Sequence, residues 1–305
     1  MRIAIWNWNN VLTDLIEELK KEHEVTVNVG GIMGLDLDNH DLFIIWNEVG
    51  DWSPVIKQIR ESGKKFILMQ HGRRGTSRIY PPFNEKLNSD IVCAWGEADR
   101  KRLESCGVAP ERIRVTGTTI FKHLKGRKEH PGINVVFSPE HWCSEVPENI
   151  EVVKALRKLK GVQIITKGLQ GEHDPLLYDN PVYSQRNQPE HMEIVADVLS
   201  IADVVVGISE STFELLAQSL DIPVVIYDKW IPKACNGDDR YKEYHREYSR
   251  ACERANTPRK LRREIKYALK HPEYLREERK EVVLEDGGPD NALENILNVI
   301  RELNS

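Results

Sequence analysis

The chain has 305 residues, 40% of them hydrophobic and 30% charged, with a net charge of −5. That length suits two domains of about 130–160 residues each, and the acidic balance argues against nonspecific nucleic-acid binding, which needs a broad basic field. No apolar run reaches the roughly 18 residues that span a bilayer, Met1–Trp6 is too short for a signal peptide, and the scattered Cys93, Cys106, Cys143, Cys235 and Cys252, without CxxC or Cys/His ligand spacing, suit a reducing cytoplasm.

Along the chain, apolar runs alternate with helical stripes. Strands are predicted at 3–6, 24–29, 42–46, 65–70, 91–95 and 114–116. Between them a helix capped by Asn10 carries Val11, Leu12, Leu15, Ile16 and Leu19, a second helix covers 53–62 with Gly63 as its stop, and a third covers 97–105, ended by Gly107. The polar, breaker-rich stretch 125–132 reads as a linker. The pattern then restarts, with strands at 133–137, 162–166, 204–208 and 224–227 and helices at 148–159, 190–200 and 211–220. Residues 229–256 are highly charged, with Trp230, Tyr241, Tyr244 and Tyr248 interspersed, and read as a surface helix or a flap. Thr257-Pro258 opens a basic helix by cap and first-turn proline. Asp290 caps a last helix with Leu293, Ile296, Leu297, Ile300 and Leu303 on one stripe.

This alternation predicts an α/β protein of two Rossmann-like domains with parallel sheets. The expected division is 1–128, 129–288 and a C-terminal helix, 289–305, that crosses back to the N-terminal domain.

Chemistry concentrates in Ala202-Asp203-Val204-Val205-Val206-Gly207-Ile208-Ser209-Glu210-Ser211-Thr212-Phe213-Glu214, followed by Asp221-Ile222-Pro223-Val224. It reads as buried strand, hydroxyl-rich turn, helix and second buried strand. Such a turn sets N–H groups and hydroxyls at the positive end of a helix, where phosphates bind, and places them at the carboxyl edge of a parallel sheet. A nucleotide-activated substrate is the expected ligand. Ser211-Thr212-Phe213-Glu214 is equally an S-x-x-E capping box, in which Glu214 folds back on Ser211.

Two Rossmann-like domains, a linker and a C-terminal helix resemble the GT-B glycosyltransferase architecture, in which the two sheets face a central cleft. Gln70-His71-Gly72 after a strand is similar to the His-Gly turn of CDP-glycerol glycerophosphotransferases. The stretch from Val92 to Asp99 with Cys106-Gly107-Val108, Pro110-Glu111-Arg112-Ile113 and Val115-Thr116-Gly117 resembles the close of their N-terminal domain. The 202–214 turn resembles their donor-binding motif, and Asp286-Gly287-Gly288 through Ala292 resembles their tail. Nonhydrolysing UDP-N-acetylglucosamine 2-epimerases share the architecture, but their Gly-Thr-Arg-Pro-Glu opening is replaced here by Asn7-Trp8-Asn9-Asn10. The family's Lys-x-His-Pro is also unmatched: the strand ends in Thr166-Lys167-Gly168, and the nearest histidine is His173.

The resemblance implies a cytoplasmic transferase, or one peripheral at the membrane, that moves a glycosyl or glycerophosphoryl group to an acceptor hydroxyl. His71 is the expected general base, an imidazole suited to take the acceptor's proton. His173 is a candidate second catalytic histidine. Ser209, Ser211 and Thr212 are expected to donate to donor phosphates, and Glu214 to accept from ribose hydroxyls. Lys167 is read as a phosphate ligand or a surface lysine at the end of its strand; Ser138 and His141 are read as lining the base pocket. Arg73, Arg74 and Arg78 are candidates for an anionic acceptor or the diphosphate. His123, His130, His191, His245 and His271 are read as surface or linker residues. Neither Asp36-Leu37-Asp38 nor Asp238-Asp239 is taken as a metal site, and no cofactor is expected, because the helix terminus and basic groups neutralise the leaving diphosphate. The expected partners are the activated donor and a glycan, polyol-phosphate or lipid-linked acceptor. Sugar-nucleotide epimerisation, DNA glucosylation and noncatalytic nucleotide-sugar binding remain alternatives.

Overall fold

The structure, a computed structural model, describes residues 1–6, 12–28, 36–45, 53–70, 72–73, 87–139, 147–169, 179–184, 190–208, 210–229 and 250–304. It divides into two compact units, Met1–Ile120 with Leu284–Ser305, and Phe121–Val283.

The first unit is built on a parallel sheet in the order β2-β1-β3-β4-β5-β6. Its strands are β1 (Arg2–Trp6), β2 (Glu24–Asn28), β3 (Leu42–Ile45), β4 (Lys65–Met69), β5 (Ile91–Ala94) and β6 (Ile113–Val115). Every residue of β3 and β5 is buried, which is why these strands read as unbroken apolar runs: helices cover both faces of a parallel sheet. The helices are α1 (Thr13–Leu19), α2 (Ser53–Glu61), α3 (Glu97–Ser105) and the C-terminal α9 (Ala292–Asn304). Helix α9 buries Ala292, Ile296, Val299 and Ile300. At about 1.5–3 kcal/mol per large aliphatic side chain, that stripe is the main force holding the C-terminus here. Polar ties add direction: Asn295 Nδ2 donates to Thr116 O at 3.1 Å, and Lys65 Nζ to Leu303 O at 2.5 Å. Where the tail enters, Gly288 has φ +73°, and a Cβ there would run into Trp95 O and stand 2.8 Å from Gly117 Cα. The glycine is required both by its backbone angle and by the closeness of approach.

The second unit carries a parallel sheet in the order β12-β11-β10-β7-β8-β9. Its strands are β7 (Asn134–Ser138), β8 (Gln163–Leu169), β9 (Pro181–Ser184), β10 (Val204–Gly207), β11 (Val224–Tyr227) and β12 (Cys252–Ala255). Helices α4 (Pro147–Leu156), α5 (His191–Ser200), α6 (Thr212–Ser219) and α7 (Pro258–Lys270) flank it. Val135, Phe137, Val204, Val206, Val225 and Tyr227 form the middle of its core, with Leu261 and Ile265 of α7 packed on them. Thr257 caps α7 by accepting from Lys260 N–H at 3.2 Å, with Pro258 in the first turn, as the sequence predicts. The 125–132 stretch lies against this unit: Lys128 N–H donates to Ser200 O at 2.8 Å, and Arg127 Nη2 to Ala202 O at 2.8 Å.

Several elements differ from the sequence reading: strand β9 was not expected, and the N-cap of α1 is Leu12, without a side-chain bond, rather than Asn10. Strand β8 runs three residues beyond the predicted end, to Leu169, so Lys167 lies within it. The described end of the charged 229–256 segment is strand β12 rather than helix. Helix α8 (Arg276–Gly287) was not expected; its buried side chains are Arg279, Val282 and Asp286, so the helical period is carried by charged residues. Arg279 donates Nε to Asp221 Oδ1 at 2.9 Å and Nη2 to the same oxygen at 2.5 Å, and caps the carbonyls of Pro272 and Tyr274.

Candidate functional site

In the second sheet β7 and β10 are neighbours, with Ser138 paired to Gly207. From β7 the chain proceeds to β8 and β9 on one side; from β10 it proceeds to β11 and β12 on the other. The strand order reverses between β7 and β10, and the carboxyl edge at such a switch point is the place where doubly wound sheets bind ligands. Ser138 stands half-buried on one side of that switch point. Gly207, Ile208, Glu210 and the start of α6 stand on the other. Ser209, His141 and His173 lie outside the described residues.

Local geometry at α6 is that of the capping box. Ser211 is extended (φ −105°, ψ −171°), and its Oγ accepts from Phe213 N–H at 3.2 Å. Glu214 Oε2 accepts from Ser211 N–H at 2.8 Å and from Ser211 Oγ at 2.5 Å. The carboxyl is 1% exposed. Burial pushes its pKa up to about 7; Ser211's hydrogen bonds and Glu214's own N–H pull the other way, and the neighbouring Glu210 carboxylate adds to the rise. Glu210, also buried, accepts from Gln218 Nε2 at 2.9 Å. Of the two readings of Glu214, the structure holds the cap; a ribose contact would have to displace Ser211 from it. Thr212, the first helical residue, remains half-buried beside it.

Lys167 lies within β8 rather than at its end, and it is buried rather than a surface lysine. It is 6% exposed; Nζ donates to Gly168 O at 2.7 Å and to Ser184 Oγ at 2.8 Å. Ser184, at the end of β9, is 2.8 Å from His191 Nδ1. His191 is the first residue of α5 and half-buried rather than a surface residue. A helix that follows a strand of a parallel sheet begins at the carboxyl edge, so this row shares its edge with Ser138 and the start of α6.

In the first unit, Gln70 follows β4 and is 8% exposed. Its Nε2 donates to Gly72 O at 2.8 Å, bracing the turn, and to Asp99 Oδ2 at 2.7 Å, while its Oε1 accepts from Trp95 N–H at 2.7 Å. Asp99 is fully buried; burial raises its pKa, opposed by the Arg102 guanidinium and by Gln70. Arg73 is buried against Asp286, with Nε 2.7 Å and Nη2 2.5 Å from Oδ2. That ion pair ties the turn to the C-terminal segment. His71, Arg74 and Arg78 lie outside the described residues. Asp36, one of the expected non-metal acidic residues, accepts from Asn39 N–H at 3.2 Å in a turn. Among the described residues no group of three or more His, Cys, Asp or Glu side chains is placed to hold a metal ion, and no helix is long and apolar enough to cross a membrane.

Sequence reasoning missed Gln70, Asp99, Ser184, His191 and Asp286 as members of these networks. For Gln70, Asp99 and Asp286 the signal was present, since all three sit inside motifs already singled out. For Ser184 and His191 there was none, because only the pairing of β8 with β9 brings them to Lys167.

No protein-family model matches the sequence, and no curated protein matches it. Solved structures do. One is the UDP-GlcNAc 2-epimerase from Neisseria meningitidis bound to UDP-GlcNAc: 12% identity, 99% of this chain and 100% of that chain, TM-score 0.62. Another is the wall teichoic acid polymerase TagF, in a variant soaked with CDPG: 13% identity, 99% of this chain and 88% of that one, TM-score 0.62. A third is a glycosyltransferase from Rickettsia africae: 13% identity, 100% and 98% coverage, TM-score 0.59. At such identities the likeness is one of fold, and with two six-stranded parallel sheets of Rossmann type the chain has the GT-B fold.

Proposed function

We propose that this protein is a transferase that moves a glycosyl or glycerophosphoryl group from a nucleotide-activated donor to an acceptor hydroxyl. The observation that supports the reading is the switch point of the second sheet, where Ser138 of β7 is paired with Gly207 of β10, the strand that leads into α6. A diphosphate at that edge would be met by Ser209, Ser211 and Thr212, with the α6 dipole favouring its charge. His71, following the braced Gln70, is the proposed base for the acceptor. With His71 as base the displacement is direct, so sugar transfer inverts the anomeric centre; with a CDP-glycerol donor the attack is at phosphorus. His173 is retained as a second histidine for the reaction. No metal is invoked, because the helix terminus and hydroxyls serve the leaving diphosphate. The acceptor class is a glycan, polyol phosphate or lipid-linked hydroxyl, reached from the cytoplasm or the membrane periphery.

The test is a binding panel of UDP-, CDP-, GDP- and CMP-linked donors, followed by transfer assays with the donor that binds. The expected result is one donor with a clear thermal shift, and transfer that His71→Ala reduces at least 100-fold, the usual worth of general-base catalysis. Absence of any donor shift would remove the reading. A second reading, sugar-nucleotide epimerisation, draws on the likeness to structures titled UDP-GlcNAc 2-epimerase. It is distinguished by product that forms with no acceptor present.

A further inference from the structure

Two helices far apart in the chain bring like charge to one layer of the second unit. Helices α4 and α7 pack against each other and cover the same face of its sheet: Val152, Val153 and Leu156 of one share a core with Leu261, Ile265 and Ala268 of the other. Each helix therefore turns its opposite side outward. Helix α4 and the turn that ends it expose Lys154, Arg157, Lys158 and Lys160. Helix α7 exposes Arg259, Arg263, Lys266 and Lys270, with Lys260 and Arg262 half-buried beside them. Residues 147–160 and 258–270 together hold ten Lys and Arg and three Glu, a net +7 in a chain whose total is −5.

The three acids leave this layer basic. Glu148 is buried, Glu151 accepts from Lys229 Nζ at 2.6 Å, and Glu264 is buried beside Arg263 at 2.6 Å. Arg157 is paired with Asp179. Among the described residues, Lys154, Lys158, Lys160, Arg259, Arg262, Lys266 and Lys270 have no acid within ion-pair distance. An ordinary solvated helix face mixes signs, as α1, α3 and α8 do with Lys20–Glu17, Arg100–Glu104 and Lys280–Glu277. Here Lys154 and Lys158, Arg259 and Arg263, and Arg262 and Lys266 are like charges four residues apart, an arrangement that destabilises a helix in water and is relieved by an anionic partner. At the end of α7 the exposed Tyr267 and Tyr274 meet edge to face, ring centres 5.3 Å apart. Glu253 and Glu278 act on Tyr274 and bound the basic layer on that side.

We propose that the outer layer of α4 and α7 docks the protein on an anionic lipid surface. A bilayer is flat and multiply charged, as a layer of two side-by-side helices requires. It meets one face alone, leaving the acidic remainder of the chain beyond the screening length of about 8 Å. Tyrosine at the rim suits the headgroup level, where one end of the ring is wet and the other apolar. The inference is independent of the transferase reading.

The test is co-sedimentation of the full chain with vesicles of phosphatidylcholine alone and of phosphatidylcholine mixed with phosphatidylglycerol. Binding is expected to the mixed vesicles only, and to be lost in about 1 M salt, where screening closes to about 3 Å. Lys154→Gln with Lys158→Gln on α4, and separately Arg262→Gln with Lys266→Gln on α7, should each reduce partitioning about 25-fold, at about fivefold per basic residue. Lys20→Gln with Lys21→Gln on the first unit makes the same change in net charge and should leave partitioning unchanged. Melting temperature checks the fold of each variant, and the two patch variants lie on different helices, so one misfolded variant leaves the other to decide. No binding to the anionic vesicles, or equal loss in the patch and control variants, overturns the proposal. Capture by duplex DNA with none by vesicles would assign the layer to a different polyanion and equally overturn it.

Discussion

Replacing Glu214 by glutamine separates the cap from the charge. Glutamine keeps the shape and still accepts from Ser211 N–H, so the capping box survives. What disappears is a carboxyl that burial holds at about 7, against an ordinary value near 4.3. A raised carboxyl pKa means that the folded state holds the proton more tightly than the unfolded chain. Its stabilisation is complete below the unfolded pKa and is lost as pH rises through the folded one. Integrating the shift from pH 5 to pH 8 gives a loss of about 2–3 kcal/mol in wild type that Glu214→Gln does not suffer. In a unit of this size that corresponds to a differential melting shift of about 5–10 °C. The assay is melting temperature and urea unfolding of both proteins at half-unit pH steps, read as the difference between them, so that all other titrating groups cancel. Glu214→Gln should match wild type near pH 5 and exceed it by pH 8. Parallel curves across that range would refute the burial of this carboxyl in the cap. The variant is also the better probe of donor binding than alanine, because alanine removes a cap worth about 1 kcal/mol along with the charge.

Two further predictions concern the tail of the first unit. Arg73→Ala and Asp286→Ala should each cost about 3–5 kcal/mol in urea unfolding, since each strands a buried charge, while the double variant costs less than the sum; full additivity would show that the pair does not interact. Gly288→Ala should cost well beyond the roughly 1–2 kcal/mol of a positive φ, because its Cβ meets backbone of Trp95 and Gly117. Gly63→Ala, at φ +70° with open space around it, supplies the backbone penalty alone, and equal losses at the two sites would contradict the close approach.

What the sequence revealed and what it concealed follow from one cause. Central strands such as β3 and β5 are buried on both faces, so their apolar runs are unmistakable. The strands that escaped notice, β9 and β12, are both at sheet edges. An edge strand needs a ladder on one side only, so it tolerates Pro181 at its first position and Glu253-Arg254 in its middle. Helix α8 was hidden for a related reason. Positions 279, 282 and 286 keep the spacing of a buried stripe, but two of the three are charged and become buried only through partners far away in the chain, Asp221 and Arg73. The capping box at Ser211 was legible because its partners are three residues apart. The Lys167 row was not, since its bonds depend on the register of β8 against β9. Local chemistry can be read from sequence; chemistry assembled across strands needs the sheet.

The two buried carboxyl systems also differ in kind, and the difference bears on what each edge can bind. Asp286 is paired with the buried guanidinium of Arg73 at 2.5 Å and has Arg102 at 3.9 Å, ion pairs that fix a turn. Among the described residues no cation acts on Glu214, only hydroxyl and backbone donors and the like charge of Glu210. A carboxylate normally satisfies the positive end of a helix and repels any other anion from it. A carboxyl held at about 7 keeps the hydrogen bonds of the cap yet carries only part of its charge near neutrality. The capping role and a phosphate at the same helix end are therefore compatible in this protein: an approaching phosphate would favour the protonated form of Glu214, which caps without repelling it. The cap at Ser211 is therefore no argument against the phosphate proposed for the 202–214 turn.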